Sequence, residues 1–467
     1  MRDPLELVAP TRVHHRAFWP VLGLISIAAF GIRVANTLLT TQRFGVTDSA
    51  YYHLQANLLA TGGGFRDPFL WLFFKRVVPT AFHPPLFSTV LAVPSLLGLG
   101  TELEHRIAAC VIGTVAVILI SLLARRLGGS RVGLIAAGLA AIYPNLWQID
   151  GLLFSEGLAA ALVVLALILA YRLLDQPTYS RAIALGAVIG LGALTRPETI
   201  LLTVLLAVPI TLRASGVPSR RLGHLAASFV AAILVMTPWL VRNLTTFEKP
   251  VLFSTNGDAV LGVANCPATY YDSNVVGYWA PCASLTRRQS ASAATARLEE
   301  STNAAQLRSA GLDYLWSHRA RFAKVVVWAR LARVWDVFPN PMNNIRVTQG
   351  EGRNQKVLIA GLAMYWAVAF LAVCGARLLY RRRGPPLWPL LTPFVVVCVV
   401  AVYAYGAIRF RAVAEPSLLV LAAIAVDAIV SAVFPSPESL PGRPFSTKMN
   451  GTRRSLRSGA GSGSASF

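Results

Sequence analysis

The chain is 467 residues long, 55% hydrophobic and only 14% charged, with a net charge of +22 and a mean hydropathy of +0.56. A soluble domain carries about 25% charged residues, so this composition excludes a soluble enzyme built round one core. The basic excess would suit nucleic acid if it were gathered on one face. Here it falls in short clusters between apolar runs, where the positive-inside rule puts it.

An apolar run of about 20 residues crosses hydrocarbon as a helix, because only a helix satisfies its own backbone there. In chain order such runs lie at about 17–39, 104–124, 132–149, 154–174, 182–194, 199–212, 223–241, 356–379, 387–405 and 416–434. The first is long and lacks a small-residue cleavage site, so it reads as a span and not as a cleavable signal peptide. The pair near 190 and 205 is split at Thr195-Arg196-Pro197-Glu198, since Pro197 cannot continue a helical ladder. The run 84–100 is short and interrupted by Pro94. Parity decides it. Arg2, Arg12 and Arg16, and the clusters around Arg125-Arg126, Arg172–Arg181, Arg213–Arg221, Arg377–Arg383 and Arg453-Arg454, all take the cytoplasmic side only if 84–100 does not cross.

The expected architecture is therefore an all-α polytopic membrane protein with about ten transmembrane helices and both termini cytoplasmic. Segments 40–103, 144–153, 195–198, 242–355 and 406–415 then lie outside. The first holds juxtamembrane helices, and 242–355 is the larger outer loop. Within it, 319–338 sets Trp328, Trp335 and Phe338 among arginines, the pattern of a helix lying on a membrane surface. The membrane domain covers 1–435, and the Ser-, Gly- and Pro-rich 436–467 reads as a disordered cytoplasmic tail. Cys110, Cys374 and Cys398 lie in apolar runs, whereas Cys266 and Cys282 share the large outer loop, where a disulfide fits.

Ionisable residues near membrane depth are expensive to keep and usually have a task. In this topology Asp48, His83, Glu156, Arg196, Glu198, Arg409, Arg411 and Glu415 converge on the outer rim, with Tyr51 in the aromatic stretch after Asp48. A carboxylate can deprotonate a hydroxyl nucleophile. Arginines bind phosphate through charge-assisted, bidentate hydrogen bonds. Blander readings stand beside these. Asp48 also fits a helix cap, Glu156 with Arg196 a structural ion pair, and Arg409 and Arg411 headgroup anchors. Arg33, inside the first run, needs either the rim or a partner carboxylate. No His/Cys cluster has metal-ligand spacing. Asp48 and Glu156 have the oxygen chemistry to share a divalent cation, which leaves metal dependence open.

These residues occur in an ordered set: DSAYYHLQANLLATGGG, FHPPL, a Tyr143-Pro144 rim with LLFSEGL, ALTRPE, TPWLVRN with FSTNGDAVLGVAN, and RFRAVAEP. Over roughly 15–435 the chain resembles the bacterial multispanning glycosyltransferases of the GT-C superfamily. The branch is that of the protein O-mannosyltransferases and the lipid A aminoarabinose transferase. The resemblance implies an inverting transfer from a polyprenyl-phosphate sugar donor to an envelope glycan, lipid or protein on the extracytoplasmic face of a bacterial inner membrane. It implies that Asp48 is the catalytic carboxylate, and that Arg409 and Arg411, with His83 or Arg196, bind the donor phosphate. Glu156 matches the family's acidic residue opening a later span. The chain departs from the O-mannosyltransferases in having Ser49 where they have the second acid of an Asp-Glu pair. A lipid-linked-sugar transporter is the alternative; it would spread polar residues through the midplane of paired halves. A lipid-diphosphate-dependent ligase would depend little on a first-loop acid.

Overall fold

In the computed structural model, which describes residues 15–40, 47–282, 299–349, 351–382 and 384–434, the apolar runs are all helical, but they are not ten equal spans. Six helices among the described residues are long and apolar enough to cross a membrane: Ala17–Leu39, Glu102–Gly128, Glu156–Asp175, Pro218–Thr246, Gln355–Arg381 and Glu415–Val433. At 1.5 Å per residue even the shortest reaches about 28 Å, the thickness of the hydrocarbon layer. A seventh is broken. Ser130–Ile142 and Pro144–Asp150 meet at a 59° bend, where Pro144 has no N–H to continue the ladder. The run at 182–194 forms the 15-residue helix Tyr179–Ala193, and that at 387–405 the 16-residue helix Trp388–Tyr403. The run at 199–212 divides into a 3-10 turn Pro197–Ile200, a π turn Thr203–Ala207 and a short helix Val208–Arg213. The expected ten spans thus become six or seven of full length, with shorter apolar helices beside them.

Segment 84–100 holds only the 11-residue helix Leu86–Leu96, about 16 Å long and too short to cross. Gly98, at φ +83°, turns the chain. Thr101 and Glu104 then form a reciprocal capping box that starts Glu102–Gly128. The predicted tail lies outside the described residues.

The long helices pack through small residues, as lipid-embedded helices must where no water drives them together. A Cβ on Gly375 would stand 1.8 Å from the Leu421 carbonyl oxygen, and one on Gly186 would stand 1.9 Å from that of Ser228. Their outward faces, such as Leu24 and Ile27 or Phe370 and Val373, are apolar and exposed. That is the surface a multi-pass membrane protein offers to lipid. Gly375→Ala is expected to prise Gln355–Arg381 from Glu415–Val433 and destabilise the fold by about 1–3 kcal/mol. Gly23→Ala, with nothing within 4 Å of the new Cβ, is the control. Equal thermal unfolding of the two variants in detergent would rule out the close contact.

Arg33 finds a carboxylate. Its Nε donates to Asp150 Oδ2 at 2.7 Å, with both side chains buried. Gly113 and Gly157 make room for Asp150, since a Cβ on either would overlap its carboxylate. The 319–338 segment departs from its expected role. Trp328 is exposed, but Arg330 and Arg333 are buried. Arg330 donates to the carbonyls of Ala264 and Val402, and Arg333 to those of Asn274 and Val276. These arginines satisfy carbonyls at the ends of Thr255–Ala264 and Trp388–Tyr403 and in the turns at 274–276, instead of facing headgroups. Cys266 and Cys282 are disulfide-bonded, 16 residues apart. A crosslink closing such a loop stabilises by about 3 kcal/mol. Cys282→Ser is therefore expected to lower the unfolding temperature, and an unchanged temperature would contradict that.

Candidate active site

A cavity of about 710 Å³ opens where the helix ends meet, lined by Asp48, His83, Glu156, Arg196, Glu198 and Arg409 among others. Each comes from a break in the apolar pattern. Thr47 caps the helix Asp48–Ala60, accepting from the Ala50 N–H. The capping role open to Asp48 therefore belongs to its neighbour, and the Asp48 carboxylate is left for other partners. His83 Nε2 lies 3.4 Å from Asp48 Oδ1, and Arg409 Nη1 lies 3.1 Å from Oδ2. Burial raises the Asp48 pKa, but His83 and Arg409 outweigh it and hold the carboxyl well below the usual carboxylate range. It is ionised at every pH at which the protein would work.

His83 is held by aromatic packing. Its ring stacks on Tyr52 at 4.7 Å and meets the Tyr51 ring edge-on at 4.9 Å. Pro84 and Pro85 stop the backbone from folding into a helix before Leu86. The Leu86 N–H donates to the Leu194 carbonyl, which ties this turn to the hinge carrying Arg196. Glu156 opens its helix fully buried. It accepts from Arg196 Nη1 at 2.7 Å, and its Oε1 lies 3.6 Å from Arg409 Nε. Arg196 Nε donates to Glu198 at 2.5 Å. Arg409 also donates to the Tyr405 hydroxyl at 3.2 Å and lies over the Phe154 ring.

Three expected site residues lie elsewhere. Arg411 is fully buried and donates to Glu415 at 2.7 Å and to Asp336 at 2.8 Å, with its guanidinium 3.6 Å from the Tyr365 ring centre. Neither Arg411 nor Glu415 lines the cavity. The segment Ile408–Val413 is a 3-10 helix with three residues per turn, so side chains two apart leave it on different sides. Tyr51 packs against His83 and likewise does not line the cavity; Tyr52 does.

Sequence reasoning did not single out several neighbours, although Asp258 lies in FSTNGDAVLGVAN and Phe410 in RFRAVAEP. Tyr405 and Phe410 line the cavity beside Arg409. Asp258 and Arg308, 3.4 Å apart, stand on its wall, and their separation of 50 residues hides the pairing. Glu351 lies 3.6 Å from Arg409 in a loop that reads only as polar. Among the described residues no group of three or more His, Cys, Asp or Glu is arranged to hold a metal ion. Asp48 and Glu156, the pair with cation chemistry, are both engaged by the Arg409 guanidinium.

The lining also includes apolar side chains, among them Ile200, Leu201, Val260, Val399 and Val400. One chamber therefore combines ion-paired carboxylates and arginines with hydrocarbon surface.

Residues 82–241 match the family model for dolichyl-phosphate-mannose-protein mannosyltransferase. No curated protein sequence matches significantly. Among solved structures, the chain is similar to the Archaeoglobus fulgidus oligosaccharyltransferase tethered with an acceptor peptide containing the NVT sequon. That likeness is at 15% identity, over 90% of this chain and 50% of that one, with a TM-score of 0.53. It is also similar to the oligosaccharyltransferase AglB from the same organism, in complex with an inhibitory peptide and a dolichol-phosphate. There the identity is 17%, over 89% and 51% of the two chains, with a TM-score of 0.52. A third similar structure is ArnT from Cupriavidus metallidurans bound to undecaprenyl phosphate, at 17% identity over 90% and 79% of the chains, with a TM-score of 0.41. The chain spans about half the length of the oligosaccharyltransferases it matches, and the likeness is one of fold. The family match covers about a third of the chain, and with the structural likeness it gives the chain a fold like that of the GT-C membrane glycosyltransferases.

Proposed function

We propose that this protein moves a sugar from a polyprenyl-phosphate donor to a hydroxyl of a cell-envelope acceptor, with inversion at the anomeric carbon. The observation that carries this reading is a chamber lined both by the Asp48–Arg409 cluster and by apolar side chains such as Leu201, Val399 and Val400. A lipid phosphate combines the same two chemistries. The family match at 82–241 and the dolichol-phosphate bound to the related AglB support it.

The mechanism follows from the groups present. Asp48, ionised beside Arg409, takes the proton of the acceptor hydroxyl as its oxygen attacks the anomeric carbon. The bond from that carbon to the phosphate oxygen breaks on the opposite face, and its electron pair leaves with the phosphate. Polyprenyl phosphate is a good leaving group at neutral pH, so it needs no proton. Arg409, with His83 and Arg196 beside it, neutralises the charge that develops there. Glu156 and Glu198 hold Arg196 in place.

Sidedness follows from the helix ends. Glu156 and the 195–198 hinge sit at ends of helices whose opposite ends carry Arg172 and Arg181, and Tyr405 follows the helix Trp388–Tyr403, whose start follows Arg381–Arg382 in the chain. Basic ends favour the cytoplasm, which supports an extracytoplasmic chamber in a bacterial inner membrane. The test is binding to the purified protein in lipid nanodiscs. Polyprenyl phosphate is expected to bind and to displace a labelled donor better than polyprenyl diphosphate does. Preference for the diphosphate would favour a diphosphate-dependent ligase. Transport of a labelled lipid-linked sugar with no covalent product would favour a transporter.

A further inference from the structure

Behind Arg409, the loop between helices Pro341–Gln349 and Gln355–Arg381 carries a second, deeply placed arginine. Arg353 Nη2 lies 3.1 Å from Glu351 Oε2, and the Arg353 side chain has no solvent exposure. None of its three guanidinium nitrogens makes a hydrogen bond among the described residues, and neither does Glu351 Oε2. The other oxygen of Glu351 is 3.6 Å from Arg409 Nε and 3.4 Å from the Tyr278 hydroxyl. Gly352, at φ +89°, makes the turn between the two side chains, a backbone shape that a residue with a Cβ rarely adopts. One loop carboxylate therefore stands between two guanidinium groups, outside any helix, with one long hydrogen bond from the Tyr278 hydroxyl.

Charge makes this arrangement consequential. Arg196 faces Glu156 and Glu198, while Arg409 faces Asp48, Glu156 and Glu351. Arg353 faces Glu351 and His83 faces Asp48, so each of these basic groups already faces a carboxylate. A phosphate entering this cluster would be a buried anion without a free positive partner, which is strongly unfavourable. One carboxylate must leave, or another cation must join. Glu351 is the carboxylate most loosely held, in contrast to Glu156 at 2.7 Å from Arg196. Its departure frees Arg353 and leaves Arg409 Nε facing Glu156 alone.

We propose that Glu351 holds the place of the donor phosphate between Arg409 and Arg353, and that the arriving lipid phosphate displaces it and takes Arg353 as a second arginine ligand. A phosphate presents a pair of oxygens to two guanidinium groups as a carboxylate does, with a third to spare. The buried, unbonded nitrogens of Arg353 are the donors it would use. This rests on the reading that the cavity binds polyprenyl phosphate.

The test measures binding of polyprenyl phosphate, polyprenol and inorganic phosphate to the full-length protein in nanodiscs, with thermal unfolding alongside. Glu351→Gln keeps the shape and the Tyr278 contact but removes the competing charge, so it is expected to bind polyprenyl phosphate about 10-fold tighter than wild type. Arg353→Ala is expected to bind it about 10- to 100-fold more weakly, the range of one charged hydrogen-bonding partner. Arg353→Lys should fall between, and covers the case that the alanine variant does not fold. Polyprenol binding should be the same in all of them. A Glu351→Gln protein of wild-type thermal stability that binds the lipid phosphate equally or more weakly overturns the proposal and makes Glu351 a brace for Arg409. Inorganic phosphate binding as well as the lipid would overturn the lipid source. Wild-type protein that does not prefer polyprenyl phosphate to polyprenol would remove the donor reading itself, whatever the variants do.

Discussion

Asp48→Asn is expected to lower sugar transfer by about 100- to 10,000-fold, the usual worth of a positioned proton acceptor, while polyprenyl phosphate still binds. The carboxamide has the shape of the carboxylate and sits in the same helix start, capped by Thr47, so the fold has no reason to change. What changes is that it cannot take the hydroxyl proton. Arg409 loses a competing anion at 3.1 Å, so donor affinity should hold or rise as turnover collapses. That split between turnover and binding separates a base from a structural ion pair. If Asp48 only braced Arg409, the substitution would weaken donor binding and leave the rate of bound complexes near wild type.

The two arginines of Arg409-Phe410-Arg411 should fail in different ways. Arg409→Ala removes a cavity-lining cation and should weaken binding of polyprenyl phosphate by about 10- to 100-fold. Arg411→Ala removes the cation from between Asp336 at 2.8 Å and Glu415 at 2.7 Å, both buried. Breaking a buried pair by deleting one side costs about 3–5 kcal/mol, so this variant should unfold early or fail to accumulate. A thermal-unfolding comparison in one detergent checks both. A stable Arg411→Ala protein that has lost phosphate binding would restore Arg411 to the site and remove Arg409's special role.

How far the sequence alone reaches depends on what kind of signal a residue leaves. DSAYY, FHPPL, LLFSEGL, ALTRPE and the Arg409 of RFRAVAEP each interrupt an apolar run. A polar break in a spanning helix is forced to a helix end, which is why Asp48, His83, Glu156, Arg196, Glu198 and Arg409 meet at one cavity. Arg411 and Glu415 share that pattern but face inward, because the 3-10 geometry of Ile408–Val413 turns them aside, and the composition of six residues does not specify helix type. The arginines at 330 and 333 read as a basic membrane face, but the carbonyls they satisfy lie 57 to 72 residues away. Glu351 and Arg353 sit in GEGRN, which signals only a turn. The helices were legible from hydropathy; their count was not, since the bend at Tyr143-Pro144 and the divided 197–213 stretch depend on packing.

The most direct test compares the envelope glycans and lipids of cells lacking this gene, and of the same cells carrying the wild-type or the Asp48→Asn protein at equal abundance. The expected result is a terminal sugar missing from one envelope component, restored by wild type and not by Asp48→Asn, with the polyprenyl-phosphate sugar accumulating in its absence. Full restoration by Asp48→Asn, or an envelope unchanged by loss of the gene, would contradict the account.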